Sequence, residues 1–263
     1  MIEYKATING IAVEARYSEH AVNSIFLPFL AKLTELKKEK GKRLLVMLAA
    51  PPGAGKSTLL SYLEKLSREH EELCDIQAVG MDGFHRRQEY LQTHFVRFGG
   101  KQVSMVKIKG APVTFDLERL KASIIQVASG TVCGWPVYDR LLHNPVENAV
   151  EVNGDIVVLE GNYLLLDQDG WRELSAYADY TAAVLAEEEL LRTRLIDRRI
   201  RTGVSREAAI RFVNFSDMPN VRLCREKMLP ADLRLRVTAD GDYEIINSFG
   251  IVSMNGGNAD NSL

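Results

Sequence analysis

The sequence predicts an α/β fold, a doubly wound parallel sheet with flanking helices, and three observations predict it. Apolar runs at residues 43–49, 155–160 and 180–185 have the near-continuous hydrophobicity of strands covered on both faces. They alternate with helical segments at 58–70, 116–129 and 187–202, as βαβ units require. The segments richest in chemistry fall just after such runs, where ligands of parallel sheets bind.

In chain order, residues 2–17 alternate around Asn9-Gly10, a pair suited to a type I′ turn, and predict a β-hairpin. A helix at 18–40 follows, with Ala21, Val22, Ile25, Phe26, Phe29, Leu30, Leu33 and Leu36 as its apolar stripe and a kink expected at Pro28. A strand at 75–80 runs into Met81-Asp82-Gly83-Phe84-His85, and 86–115 is expected to be a long excursion with one short helix. Residues 206–213 predict a helix, 214–220 a loop, and 233–247 a hairpin around Asp240-Gly241; the tail from Asn255 is expected to be disordered. The expected division is an extension at 1–41, a core domain at 42–230 with a lid at 187–203, and a hairpin and tail at 231–263.

The 263 residues are 46% hydrophobic and 26% charged, enough to bury a sizeable core. Lys and Arg number 33 against 35 Asp and Glu, a net charge of −2, so no basic field exists to attract nucleic acid. Cys74, Cys133 and Cys224 are scattered and odd in number, which predicts reduced thiols. No secretory leader and no run long enough to span a bilayer is seen, so a cytoplasmic protein without membrane attachment is expected.

The segment Ala50-Pro51-Pro52-Gly53-Ala54-Gly55-Lys56-Ser57-Thr58 follows a strand and opens a helix. It departs from GxxxxGK[ST] only at Ala50, and predicts a P-loop NTPase fold. Gly53 and Gly55 let the backbone turn its N–H groups inward, and the helix start adds free donors and the positive end of its dipole. Lys56 is expected to reach the β- and γ-phosphates of ATP, Ser57 to ligate Mg²⁺, and Thr58 to lie near the α-phosphate, with Pro52 and Ala54 completing the loop.

Asp82, at the end of a strand, could accept the proton of an attacking hydroxyl; a plain Asp-Gly turn explains it as well. His85 could contact the same acceptor or be an ordinary loop residue. Glu160 ends the run Ile156-Val157-Val158-Leu159, a position suited to supporting Mg²⁺ directly or through water. The helix carrying Arg192, Arg194, Arg198, Arg199 and Arg201 is either a lid over the transferring phosphoryl or a solvated helix with pairs such as Glu188 to Arg192; Arg194 and Arg198 share one face. Trp135 reads best as a packed aromatic.

Five ordered segments, Pro52–Thr58, Met81–His85, Lys109-Gly110-Ala111-Pro112-Val113-Thr114-Phe115-Asp116, Pro136–Arg140 and Leu159-Glu160-Gly161-Asn162-Tyr163-Leu164-Leu165, resemble the P-loop kinase group that contains uridine kinase, phosphoribulokinase and bacterial pantothenate kinase. Within it, the chain is most similar to bacterial fructose-transport-system kinases or nucleoside/nucleotide kinase family proteins. The resemblance spans roughly residues 43–230 and implies a kinase for a small-molecule hydroxyl, with ATP and Mg²⁺. It implies Asp82 as catalytic base or acceptor-binding residue, Glu160 as metal support, Arg194 and Arg198 as lid arginines, and acceptor contacts from Tyr138 and Asp139; His85, Arg140, Asn162 and Tyr163 are expected at the acceptor as well. Residues 214–220 resemble a late loop near the adenine.

The competing readings are a nucleotide-hydrolysing switch, for which no Asn-Lys-x-Asp motif exists, and a non-catalytic ATP-binding regulator of sugar uptake. The N-terminal helix or terminal hairpin could supply a homodimer surface.

Overall fold

The computed structural model describes residues 1–8 and 10–248. The expected disorder of the tail from Asn255 and the conformation of Asn9 lie outside them.

A six-stranded sheet has the order β4-β9-β3-β10-β11-β12, where β3 is Leu44–Ala49, β4 Ile76–Gly80, β9 Ile156–Gly161, β10 Tyr180–Ala186, β11 Leu233–Val237 and β12 Tyr243–Ser248. All neighbours are parallel except β11 and β12. Every residue of β3 is buried, because alternate side chains feed separate cores on the two faces. Leu44, Val46 and Leu48 join one core; Leu45, Met47 and Ala49 join the other. A continuous apolar run is therefore what a central parallel strand needs.

The first core is closed by helix α1 (19–40) and by α2 (Lys56–Glu69). The second is closed by α4 (Leu117–Ala128) and by the hairpin of β7 (Cys133–Asp139) with β8 (Asn144–Val152). This hairpin was not expected. Pro136 and Pro145 obscure it, and the ladder admits Pro136 through a register shift between Trp135 and Val137. Trp135 is fully buried and donates its indole N–H to Gly80 O at 2.9 Å, so it packs as expected.

The N-terminal hairpin, β1 (Ile2–Ile8) with β2 (Ile11–Tyr17), is packed into the first core rather than hung from it. Tyr17 stacks on Tyr62 of α2 at 4.5 Å and lies 6.0 Å from Tyr243, while Tyr4 shares a hydrogen bond of 2.7 Å with Ser61. The C-terminal hairpin likewise enters the central sheet, since β11 pairs with β10.

Both helices with an internal proline solve the same steric problem alike. A proline ring collides with the carbonyl four residues earlier. A π-turn at Val22–Phe26 precedes Pro28, and another at Val213–Asp217 precedes Pro219. The wider turn opens the backbone there, and the helix continues. Residues 214–220 are thus helical, within α6 (206–226), and the expected loop is corrected.

The 86–115 excursion holds α3 (Gln88–Thr93) and an unexpected hairpin, β5 (Phe95–Phe98) with β6 (Lys101–Ser104). Its turn is Gly99-Gly100, both at positive φ (56° and 77°), the type I′ geometry.

Gly83 fixes how the Asp82 turn meets β7: a Cβ built there would lie 1.9 Å from Pro136 O. Backbone cannot yield as a flexible side chain can. Gly83→Ala is therefore expected to cost about 1–3 kcal/mol or more of stability. Chemical denaturation of the variant checks it, and unchanged stability would contradict the close approach.

Candidate active site

The parallel strands β3, β4 and β9 end together, and the sequence-predicted residues gather beyond their carboxyl ends. In register, Glu160 lies beside Leu48 on one side and Gly80 on the other. The loop after β3 and the turn carrying Asp82 consequently flank one carboxylate.

The loop 50–55 turns at Gly53 (φ 84°) and Gly55 (φ 87°), a region open to glycine. Ala50 is not among the non-glycine residues at positive φ, which are His143 and Asn148. It is fully buried and its N–H donates to Gly161 O at 3.2 Å, so a methyl group fits the first loop position. Helix α2 begins at Lys56 with no side-chain cap, leaving the first-turn N–H groups available to an anion.

Ser57 Oγ donates to Glu160 Oε1 at 2.6 Å, and Lys56 Nζ lies 3.8 Å from Oε2. Asp82 is in a 3₁₀ turn directly after β4. Enclosure disfavours its charge, but His85 where it is protonated, Lys56, Arg140 and Arg198 outweigh that and hold its carboxyl below the ordinary value. Glu160 is raised by burial and by the charge on Asp82, against the pull of Lys56 and Ser57. The two carboxyls thus divide the local positive charge unequally, with Asp82 shifted down and Glu160 shifted up.

His85 donates from both its backbone N–H and Nδ1 to Asp82 O, at 3.2 and 2.8 Å, with the tautomer assigned from that carbonyl acceptor. Its ring lies 3.9 Å from that of Phe115 and 5.2 Å from that of Tyr138. Enclosure lowers its pKa further than Asp82 raises it, so the imidazole is neutral and Nε2 is left as an acceptor.

Tyr138 lies beneath Lys109, whose Nζ is 4.7 Å from the ring and donates to Gln88 Oε1 and His143 O. Arg140 is exposed and faces Asp82. Asp139 instead accepts from Leu141 N and Leu142 N at 2.7 and 2.9 Å, holding the β7–β8 turn. Asn162 Oδ1 is buried without a hydrogen-bond partner among the described residues. Tyr163 is wholly buried and its hydroxyl donates to Gly110 O at 2.5 Å, so it supports the wall from behind.

Helix α5 (Glu188–Arg201) lies against the loop: a Cβ on Gly53 would meet Leu195 Cγ at 3.1 Å. Arg194 and Arg198 share a face but not a destination. Arg194 reaches Ala54 O at 3.5 Å and approaches both Gly55 and Gly241. Arg198 feels Asp217 first, then Arg140 and Arg199, and Asp82 more weakly. Arg192 pairs with Glu188 at 3.3 Å, as a solvated helix would. Arg199 binds Asp217 Oδ2 at 3.1 Å and lies 3.5 Å above the Phe212 ring, tying α5 to α6.

Sequence reasoning missed Asp217, because it was read in a loop, and it missed Lys109 as a wall residue. It also missed that Phe98 meets Phe215 at 5.7 Å, which carries the excursion across to α6. Only the Gly99-Gly100 turn signal could have exposed that hairpin.

No protein-family model matches the chain. The Escherichia coli K12 protein YggC, itself uncharacterised, is 37% identical over 243 residues, covering 92% of this chain and 98% of YggC. A crystal structure from Silicibacter sp. TM1040, of a protein provisionally named fructose transport system kinase, has 31% identity and a TM-score of 0.68, covering 78% of this chain and 98% of that one. The chain belongs to the P-loop kinases. Pantothenate kinase of Sodalis glossinidius is 27% identical over 201 residues, covering 72% of this chain and 61% of that enzyme. YFH7 of Saccharomyces cerevisiae shares the fold, with 16% identity and a TM-score of 0.67. Among the described residues of this kinase, no helix is long and apolar enough to cross a membrane.

The two neighbouring arginines should separate cleanly by measurement. Arg199→Ala removes a charged hydrogen bond to Asp217 and is expected to cost roughly 1.5–3 kcal/mol of stability. Arg198 is exposed with no carboxylate within ion-pair distance among the described residues, so Arg198→Ala should stay within about 0.5 kcal/mol. Equal losses in urea denaturation would contradict the assignment.

Proposed function

We propose that the protein is an ATP- and Mg²⁺-dependent kinase that transfers the γ-phosphoryl group to a hydroxyl of a small metabolite. The observation that carries this is the convergence of Lys56, Ser57, Glu160 and Asp82 beyond the ends of three adjacent parallel strands. The N–H groups of the 53–58 loop and helix start hold the triphosphate, and Lys56 neutralises its β and γ oxygens. Arg194 closes on the loop from α5, and Arg198 with Arg140 faces the oxygens of the phosphoryl in flight.

Mg²⁺ suits the donors present. Ser57 and Glu160 offer hard oxygens, and the orphaned Oδ1 of Asn162 could accept from a water. When bound, the ion neutralises charge on the triphosphate.

Asp82 accepts a hydrogen bond from the acceptor hydroxyl and orients its oxygen toward phosphorus. The new bond forms between that oxygen and the γ-phosphorus as the bond to the β–γ bridging oxygen breaks. The proton passes to Asp82 and on to water, and ADP leaves. A carboxylate of lowered pKa is a weak base, which suits a loose transition state where the hydroxyl loses its proton late. His85 Nε2 and the Tyr138 ring supply further acceptor contacts. Asp139 and Tyr163, spent on backbone partners, shape the wall instead.

Asp82→Asn keeps the shape and removes the base. With saturating acceptor its kcat is expected to fall by about 10²–10⁴-fold while ATP binding persists. Unchanged turnover would remove Asp82 from this role, and acceptor-independent hydrolysis at the same rate would favour water as the acceptor.

A further inference from the structure

Next to the Asp82 turn, the surface opens into a recess of about 230 Å³ lined by His85, Arg86, Arg87, Tyr90, Asp116 and Arg119. Its position is set by the Asp82 turn. His85 lines it while donating to Asp82 O, Arg86 N–H donates to Thr114 O, and Asp116 N–H to Phe84 O. The recess and the proposed acceptor hydroxyl site therefore share one imidazole wall.

Its charge is unbalanced. Arg86 lies 3.6 Å from Asp116; Arg87, at 3.9 Å, and Arg119 share the single carboxylate of Glu147. Three guanidinium groups thus face two carboxylates, and the neutral His85 adds no charge. The chain as a whole carries −2, so this excess is local and not part of a general basic field.

The donors of Arg86 and Arg87 are also free, while Arg119 donates to Glu147 and has its remaining N–H groups to offer. The ion pairs of Arg86 and Arg87 are longer than hydrogen bonds, and among the described residues neither guanidinium makes one. Arg86 lies 4.7 Å from the Tyr90 ring centre and Arg119 5.5 Å from that of Phe84, which limits the ordering cost on binding. A planar guanidinium matches the two oxygens of a carboxylate or phosphate, and a neutral polyol offers no such partner.

We infer that the acceptor carries an anionic oxygen group, phosphate or carboxylate, which Arg86, Arg87 and Arg119 hold while its hydroxyl lies at Asp82. The inference rests on the kinase reading for the word acceptor, and on the recess alone for anion binding. The product is then a compound with a new phosphate ester and its original anionic group.

Paired acceptors test it: ribose against ribose 5-phosphate, fructose against fructose 1-phosphate, pantothenol against pantothenate, and glycerol against glycerate. The anionic member of at least one pair should have a kcat/KM about tenfold higher or more. The phosphate and carboxylate pairs tell the two groups apart. The double substitution Arg86→Gln with Arg119→Gln should raise KM for that acceptor about tenfold or more with a smaller change in kcat. Equal or better use of the neutral members overturns the inference and leaves the kinase standing.

A second measurement does not depend on turnover. With the loop saturated by a non-hydrolysable ATP analogue and Mg²⁺, inorganic phosphate should bind the wild-type protein by calorimetry and fail to bind the double variant. Phosphate binding that is absent, or equal in both proteins, overturns the recess as an anion site. No acceleration of ATP consumption by any acceptor, with phosphate binding intact, overturns the kinase reading instead.

Discussion

The site depends on one carboxylate. Glu160 ends β9, between the strand that launches the 50–58 loop and the strand that launches Asp82, and it holds Ser57 at 2.6 Å and Lys56 at 3.8 Å. Its strand is fixed by apolar side chains on both faces: Ile156 and Val158 in one core, Val157 and Leu159 in the other. Sheet register thereby becomes the register of the polar groups. The same proximity shifts charge, because two carboxyls share one ammonium, and Asp82 keeps its negative charge where guanidinium groups from β7–β8 and α5 face it.

The chain on either side of this centre contributes to it. The aromatic group of Tyr4, Tyr17, Phe26, Tyr62 and Tyr243 joins the N-terminal hairpin, α1, α2 and β12 into one packed block behind the loop. Tyr243 and Gly241 in turn approach Gly55 and Arg194. The two π-turns keep long helices continuous past Pro28 and Pro219, and the second leaves Asp217 where Arg199 can bind it. The excursion from α3 to β6 leaves the Asp82 turn and meets α6 through Phe98 and Phe215.

The sheet was legible because parallel strands buried on both faces leave continuous apolar runs, and the loop was legible because its glycines and lysine answer to local backbone geometry. Glu160 could be read from the end of its run. What could not be read needed partners distant in sequence. The β7–β8 hairpin is hidden by Pro136 and Pro145, whose cost is relieved by a bulge, and 214–220 looked like a loop because a π-turn before Pro219 leaves no pattern. Arg194 and Arg198 look alike at one helical turn, yet Gly55 and Gly241 approach one while the charges of Asp217, Arg140 and Asp82 act on the other. Asp139 and Tyr163 look like polar site residues until their hydrogen bonds to the backbone are seen.

The central claim is that one cleft holds both a triphosphate and a hydroxyl acceptor, and that phosphorus passes between them. Mass spectrometry of the acceptor, read alongside ADP formed in the same reaction, tests it most directly. Acceptor mass should rise by one phosphoryl group, mole for mole with ADP, with little inorganic phosphate formed. ADP formed with an equal amount of inorganic phosphate and an unmodified acceptor would contradict it.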